Sequence, residues 1–269
     1  KAQKCYKKAM AINPNSAEIL SALVSNLMQS CDYEQLSNYG VKFDNLSYKD
    51  QPALLSVART MNEEVNLKVA QAKALEMEKI ALPNRFKSYQ AKRSDSRKIS
   101  KAWPFRLKIG YLSCDFYNHA TSHLIQGIFS GHNRSNFEVF TYSYGIDDKS
   151  SYRKKIEKDS DHFVDVKDLS NIEVAKKIYK DKIDILIDLK GYTKDSRFDI
   201  MAYRPAPIQV TWLGFPGTTG ASFIDCVITD KIVTPNMKYY TEKPIFMPCY
   251  QVNDDKQKIH ELRFKKQDF

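Results

Sequence analysis

Two imidazoles four positions apart, His119 and His123, stand in LKIGYLSCDFYNHATSH, which runs from Leu107 to His123. An imidazole titrates near neutrality, so it can move a proton or hydrogen-bond a phosphate. A pair at this spacing can also hold a metal, but the H-E-x-x-H form lacks its glutamate here and no further histidine lies nearby. His119 falls in a loop, where a side chain can reach a ligand. For His123 a hydrogen-bonded structural place competes with a ligand role. A second set of candidates is DLKGYTKDSR at 188–197, where Gly191 permits a tight turn and Thr193 and Lys194 project beyond it. A third is RPAPIQVTWLGFPGTTG at 204–220. Pro205 and Pro207 stiffen its approach, and Gly214, Pro216, Gly217 and Gly220 build a rigid loop of small residues that carries the hydroxyls of Thr218 and Thr219. Such a loop suits close backbone contact with a ligand; a plain structural turn has the same composition.

The elements that must position these residues are legible in the apolar pattern. Ile109, Gly110, Tyr111 and Leu112 form the run of a buried parallel strand, broken by Asp115 and Asn118. A helical pattern starts at Leu124, Ile125 and Ile128, with Thr121 and Ser122 where N-cap oxygens belong. From Arg106 onward short apolar runs alternate with helix-length segments, the signature of βαβ units. Strands are expected at 107–112, 138–144, 162–166, 183–189, 208–213 and 225–229, and helices at 122–131, 150–159, 171–181 and 196–202. All three candidate loops then leave the carboxyl edge of one sheet, where open α/β sheets bind ligands. The helix start beside His119 adds N–H donors for an anion. Neither G-x-G-x-x-G nor a P-loop follows the first strand, which disfavours a dinucleotide oxidoreductase or an ATPase.

Ahead of the sheet the chain is helical. Ala2, Tyr6, Ala9 and Pro14 fall at the offsets of the second helix of a tetratricopeptide repeat. A further helical pattern follows through Leu20, Leu23, Val24 and Leu27, then Tyr33 and Leu36, with Gly40 and Phe43 out of repeat register. Residues 1–46 thus read as the last one and a half repeats of an array, with an ordinary helical hairpin as the alternative. Residues 51–86 give two further apolar faces separated at Asn62–Glu64, and the polar, basic stretch 87–104 reads as an exposed connector and domain boundary.

Gross composition sets limits. With 269 residues, 42% hydrophobic and 28% charged, the chain is globular. Its net charge of +10 is spread along the sequence without the aromatic signature of an RNA-binding sheet, so a solvated lysine-rich surface is expected rather than nucleic acid. No apolar run approaches a membrane span, and no membrane association is expected. Five widely spaced cysteines without a C-x-x-C pair point to a reducing compartment.

DFYNHATSHL, DLKGYTKDSR, RPAPIQVTWLGFPGTTG, ITD (228–230) and CYQVND (249–254) closely resemble the amino-terminal half of the catalytic region of the O-GlcNAc transferase family. The resemblance spans 105–255 strongly and 1–50 loosely. It implies an α/β, Rossmann-like amino-terminal half of a GT-B glycosyltransferase at 105–255, preceded by an all-α tetratricopeptide-like segment at 1–46 and transitional helices at 47–104. Residues 256–269 would begin an insert or a link to the second half. The implied activity is inverting transfer of N-acetylglucosamine from UDP-GlcNAc to Ser or Thr of nuclear and cytoplasmic proteins, without metal or other cofactor. By motif position His119 matches a histidine assigned as general base or diphosphate-side contact. The resemblance places His123, Lys190, Gly191, Tyr192, Thr193, Pro216, Gly217 and Thr218 at the substrates, with Lys190 where the family often has Asn. Acceptor proteins would be held by the helical repeats, and a homo-oligomer could form through repeats absent from these residues. The family's nucleotide-binding residues belong to the second half, so the 269 residues alone are expected to lack transferase activity. Protein O-fucosyltransferases, which use GDP-fucose, and a non-catalytic repeat scaffold are the alternatives.

Overall fold

The computed structural model describes residues 2–87 and 106–252. The connector expected at 87–104, apart from Lys87, and the segment 256–269 lie outside the described residues. Three helices come first: α1 (Ala2–Ile12), α2 (Ala17–Gln29) and α3 (Tyr33–Asp44). Ser16 caps α2 by accepting the Ile19 N–H, and Asp32 caps α3 by accepting that of Gln35. Leu20, Leu23, Val24 and Leu27 recur at helical spacing, so one face of α2 is buried against Met10 and Phe43. Two more helices follow, α4 (Ala53–Arg59) and α5 (Glu63–Ala81), broken where Asn62 caps α5 through the N–H groups of Glu64 and Val65.

The remainder is a seven-stranded, wholly parallel sheet in the order β3-β2-β1-β4-β5-β6-β7. In chain order its elements are β1 (Leu107–Ser113), α6 (Ala120–Gly131), β2 (Phe137–Ser143), α7 (Ser151–Asp159), β3 (His162–Asp165), α8 (Asn171–Asp181), β4 (Ile185–Asp188), α9 (Asp199–Ala202), β5 (Ile208–Trp212), β6 (Cys226–Thr229) and β7 (Lys243–Phe246). Parallel strands need cover on both faces, and side-chain alternation divides the core accordingly. Ile109, Tyr111, Val139 and Val210 meet Ile125 and Phe129 of α6 and Ile156 of α7. On the other face Leu112, Tyr142 and Leu186 meet Val174 and Ile178 of α8 and Met201 of α9. The chain therefore changes faces between β1 and β4, two neighbours whose following loops diverge. In doubly wound sheets ligands bind at such a switch point.

The six expected strands are present within two residues of their expected ends, and a seventh, β7, was not expected from its sequence KPIF. Pro244 lowers the strand reading, yet an outermost parallel strand tolerates a proline. The helices differ from expectation in two respects. The last is only Asp199–Ala202 rather than 196–202. And α5 does not sit apart from the sheet domain: Ala74 and Ala81 share one core with Phe198, Ala202 and Phe223, because methyl side chains let α5 lie close against α9.

Candidate functional site

The loop after β1 is organised by Asp115, which is 3% exposed. Lys190 Nζ, from the loop after β4, reaches both of its carboxylate oxygens at 3.1 and 2.9 Å. The Thr121 hydroxyl donates to Oδ2 at 3.2 Å, the Cys114 thiol to Oδ1 at 3.2 Å, and the Ser122 hydroxyl to the Asp115 carbonyl at 2.5 Å. A carboxylate this deep is stable only when its oxygens are met by charge and donors, and here they are. Burial works against the Lys190 ammonium, but the hydrogen bond and charge of Asp115 outweigh it and raise the lysine above its ordinary value. Burial, with the Asp115 carboxylate beside it, pushes the Cys114 thiol up to about 12, so this cysteine is inert as a nucleophile.

These contacts correct the expected cap. Thr121 and Ser122 turn their hydroxyls inward to Asp115, and the N-cap of α6 is His119 itself, extended at φ −140° and ψ 153°. Its Nδ1 accepts the Thr121 N–H at 3.2 Å. With that lone pair occupied, a neutral ring would carry its proton on Nε2. The ring lies 5.4 Å from that of Tyr117 and keeps 37% of its side chain exposed. His123 does not join this group. Its Nε2 pairs with Asn118 Oδ1 at 2.7 Å and its ring stacks on Tyr152 at 4.2 Å, a structural place on the flank of α6.

In the loop after β4, Asp188 is fully buried and accepts the Gly191 N–H at 2.6 Å. Gly191 has φ +52°, and a Cβ there would stand 2.5 Å from that of Phe215, so both backbone and space require glycine. The Tyr192 hydroxyl faces the Ala70 carbonyl of α5 at 3.2 Å and that of Thr219 at 2.7 Å, which ties α5 to the loop after β5 rather than reaching toward a ligand. Thr193 donates to the Lys190 carbonyl at 2.9 Å. In the loop after β5, Thr218 donates to Glu242 at 2.7 Å, and Thr219 offers both its N–H, at 2.6 Å, and its hydroxyl to the same buried carboxylate. The hydroxyls of Thr218 and Thr219, expected to face a ligand, are thus spent on shaping the loop.

All three loops leave one sheet edge, but they line separate recesses. Tyr192, Thr193 and Lys194 border a groove of about 650 Å³ with Ala22, Ser25 and Met28 of α2 and Leu54, Leu55 and Ala58 of α4. Pro216, Gly217 and Thr218 border a pocket of about 240 Å³ with Val57, Met61, Tyr239 and Tyr240. His119 lines neither; its Nδ1 stands 3.5 Å from Oδ2 of Asp115, the carboxylate that Lys190 meets at 2.9 Å. Sequence reasoning missed Asp115 and Glu242. The first carried a usable signal, an acid at a strand end four residues before a histidine; the second carried none.

Residues 55–268 match Glycosyl transferase family 41. A probable UDP-N-acetylglucosamine–peptide N-acetylglucosaminyltransferase of Arabidopsis thaliana is 50% identical over 161 residues, 58% of this chain and 16% of that protein. A UDP-N-acetylglucosamine–peptide N-acetylglucosaminyltransferase of Caenorhabditis elegans is 46% identical over 164 residues, 60% of this chain and 14% of that protein. Among solved structures, a mutant O-GlcNAc transferase of Thermobaculum terrenum superposes with a TM-score of 0.73 at 24% identity, over 93% of this chain and 48% of that one. The chain thus has the fold of about half of that structure and spans about a sixth of the curated relatives' length.

Proposed function

The chain belongs to glycosyl transferase family 41, and from that premise we propose that the protein transfers N-acetylglucosamine from UDP-GlcNAc, with inversion, to serine and threonine hydroxyls of other proteins. The observation that carries the reading is that DFYNHATSH, DLKGYTKDSR and GFPGTTG leave the carboxyl ends of three neighbouring strands, β1, β4 and β5, with Lys190 of the second paired to Asp115 of the first. The sugar would sit over this edge. The acceptor oxygen would bond to the anomeric carbon from beside the 119–123 loop as the bond to the diphosphate oxygen breaks, its proton leaving late to water or to the departing diphosphate. Charge on the departing diphosphate would be met by protein donors and cations, a division of labour that needs no metal. His119 would serve as a donor, since its Nδ1 is already occupied by the Thr121 N–H. The groove between α2, α4 and Thr193 supports an extended acceptor polypeptide passing the site, its apolar lining gripping side chains while the backbone runs along the loop. Five free thiols fit work in cytoplasm and nucleus.

The test is sugar transfer by the full-length protein to a serine- and threonine-containing peptide, with UDP-GlcNAc and GDP-fucose offered in parallel. Incorporation of N-acetylglucosamine in the inverted configuration is expected. Incorporation of fucose alone would move the protein to the fucosyltransferases, and incorporation of neither would leave a repeat scaffold.

A further inference from the structure

We infer that Lys190 is a positioning residue: by neutralising Asp115 it keeps His119 uncharged, with Nδ1 on the Thr121 N–H and the proton on Nε2. This deepens the role given to His119 above and rests on that reading for its bearing on sugar transfer. The geometry leaves Asp115 two nitrogen partners. Lys190 Nζ sits on both oxygens at 3.1 and 2.9 Å, and His119 Nδ1 stands 3.5 Å from Oδ2. A carboxylate 3% exposed keeps its charge only with a counter-charge beside it. With Lys190 in place, that need is met, and the Thr121 hydroxyl completes Oδ2 at 3.2 Å. The imidazole is then free to cap α6 with a bare Nδ1. Without Lys190, His119 is the nearest group able to supply the missing charge. It would do so by binding a proton at Nδ1 and turning that N–H to Asp115, which abandons the cap.

The consequence is chemical. A neutral ring with Nδ1 occupied and Nε2 protonated has no free lone pair with which to accept the acceptor hydroxyl's proton. It can donate one hydrogen bond from Nε2 to an oxygen that gains negative charge. Lys190, 6% exposed, acts on the reaction only through Asp115 and His119. Tyr117, whose ring lies 5.4 Å away, and the Thr121 N–H also border the ring.

Nitrogen-edited NMR of the imidazoles in the full chain reads the protonation pattern without substrate, with the His119 signal identified by its absence in His119→Gln. Near neutral pH the wild-type ring is expected as the neutral Nε2–H form. In Lys190→Met it becomes doubly protonated at the same pH, and in Lys190→Met with Asp115→Asn it returns to Nε2–H. A wild-type ring protonated on Nδ1, or a Lys190→Met ring unchanged from wild type, overturns the inference. Should Lys190→Met alone not fold, the double variant decides: a doubly protonated ring, where no carboxylate remains to hold it, overturns the inference and an Nε2–H ring supports it. Failure here leaves sugar transfer standing, and failure of sugar transfer leaves the ring pattern standing.

Discussion

Asp188 lies at the end of β4 with its Oδ1 buried and without a hydrogen-bond partner, while Oδ2 takes the Gly191 N–H. Burial pushes its carboxyl from 3.8 up to about 7, against the opposing pull of the Gly191 and Lys190 N–H groups. The folded chain therefore holds this proton more tightly than the unfolded chain. The stabilisation is complete below the unfolded value and is lost as pH rises through the folded one. We expect stability to fall by on the order of 4 kcal/mol between about pH 4 and pH 8 on account of this group. Asp188→Asn keeps an acceptor for Gly191 and has no proton to lose, so its urea midpoint should be flatter across that window. A variant with the wild-type pH slope would place the titration elsewhere. At His119 the expectation concerns rate. Its Nε2–H is worth most where oxygen charge develops, so His119→Ala in the full-length enzyme should lower kcat about 100-fold while donor affinity changes little. Equal losses in both would reduce His119 to a binding group.

The loop after β5 is shaped from outside itself. Glu242, just before β7, accepts from the Thr218 hydroxyl and from both the N–H and hydroxyl of Thr219. Gly214 packs so closely that a Cβ would lie 2.1 Å from the Leu189 carbonyl oxygen. Glu242→Ala strands three buried donors and should cost about 3 kcal/mol, more than Glu242→Gln, read as a lower urea midpoint with unchanged slope. A loss below about 1 kcal/mol would mean that the threonines find other partners. This loop also marks the limit of what the sequence discloses. Apolar runs and caps are local properties, so the six strands, the break between α4 and α5 and the shared sheet edge were all legible. The partner of Thr219 lies 23 residues away and that of Asp115 lies 75 away. No period or spacing encodes such pairings, so the sequence does not disclose that the side chains of Lys190, Tyr192 and Thr218 have partners within the fold. The edge strand β7 was hidden for a different reason, because Pro244 masks a four-residue run.

Across the whole molecule, packing divides the chain differently from composition. Met10, Leu20, Leu23, Val24, Leu27 and Phe43 form a core within α1–α3, with Leu55 of α4 packed on its edge. Ala74 and Ala81 of α5 instead belong to the core on one face of the sheet, and Phe86 stacks on Tyr179 of α8 at 4.5 Å. Between the two stands a small cluster of Ala53, Val69 and Phe215, bridged by Tyr192 on the Ala70 carbonyl. The helices that sequence composition assigns to a transition are therefore the wall against which the site loops are built: α4 lines both recesses, and α5 fixes the loops after β4 and β5. Cooperative units follow shared cores, since opening one element exposes the apolar surface of every element that packs on it. Hydrogen exchange should accordingly place the amides of α5 with those of β1 and β4, in the slowest class, and let α1–α3 open earlier as a unit. Tyr192→Phe should hasten exchange at the middle of α5 and in the loop after β5 together, without altering α1–α3. Exchange of α5 in step with α1–α3 would instead make the helices one body that merely leans on the sheet. The groove between α2 and Thr193 would then be a hinge rather than a fixed channel.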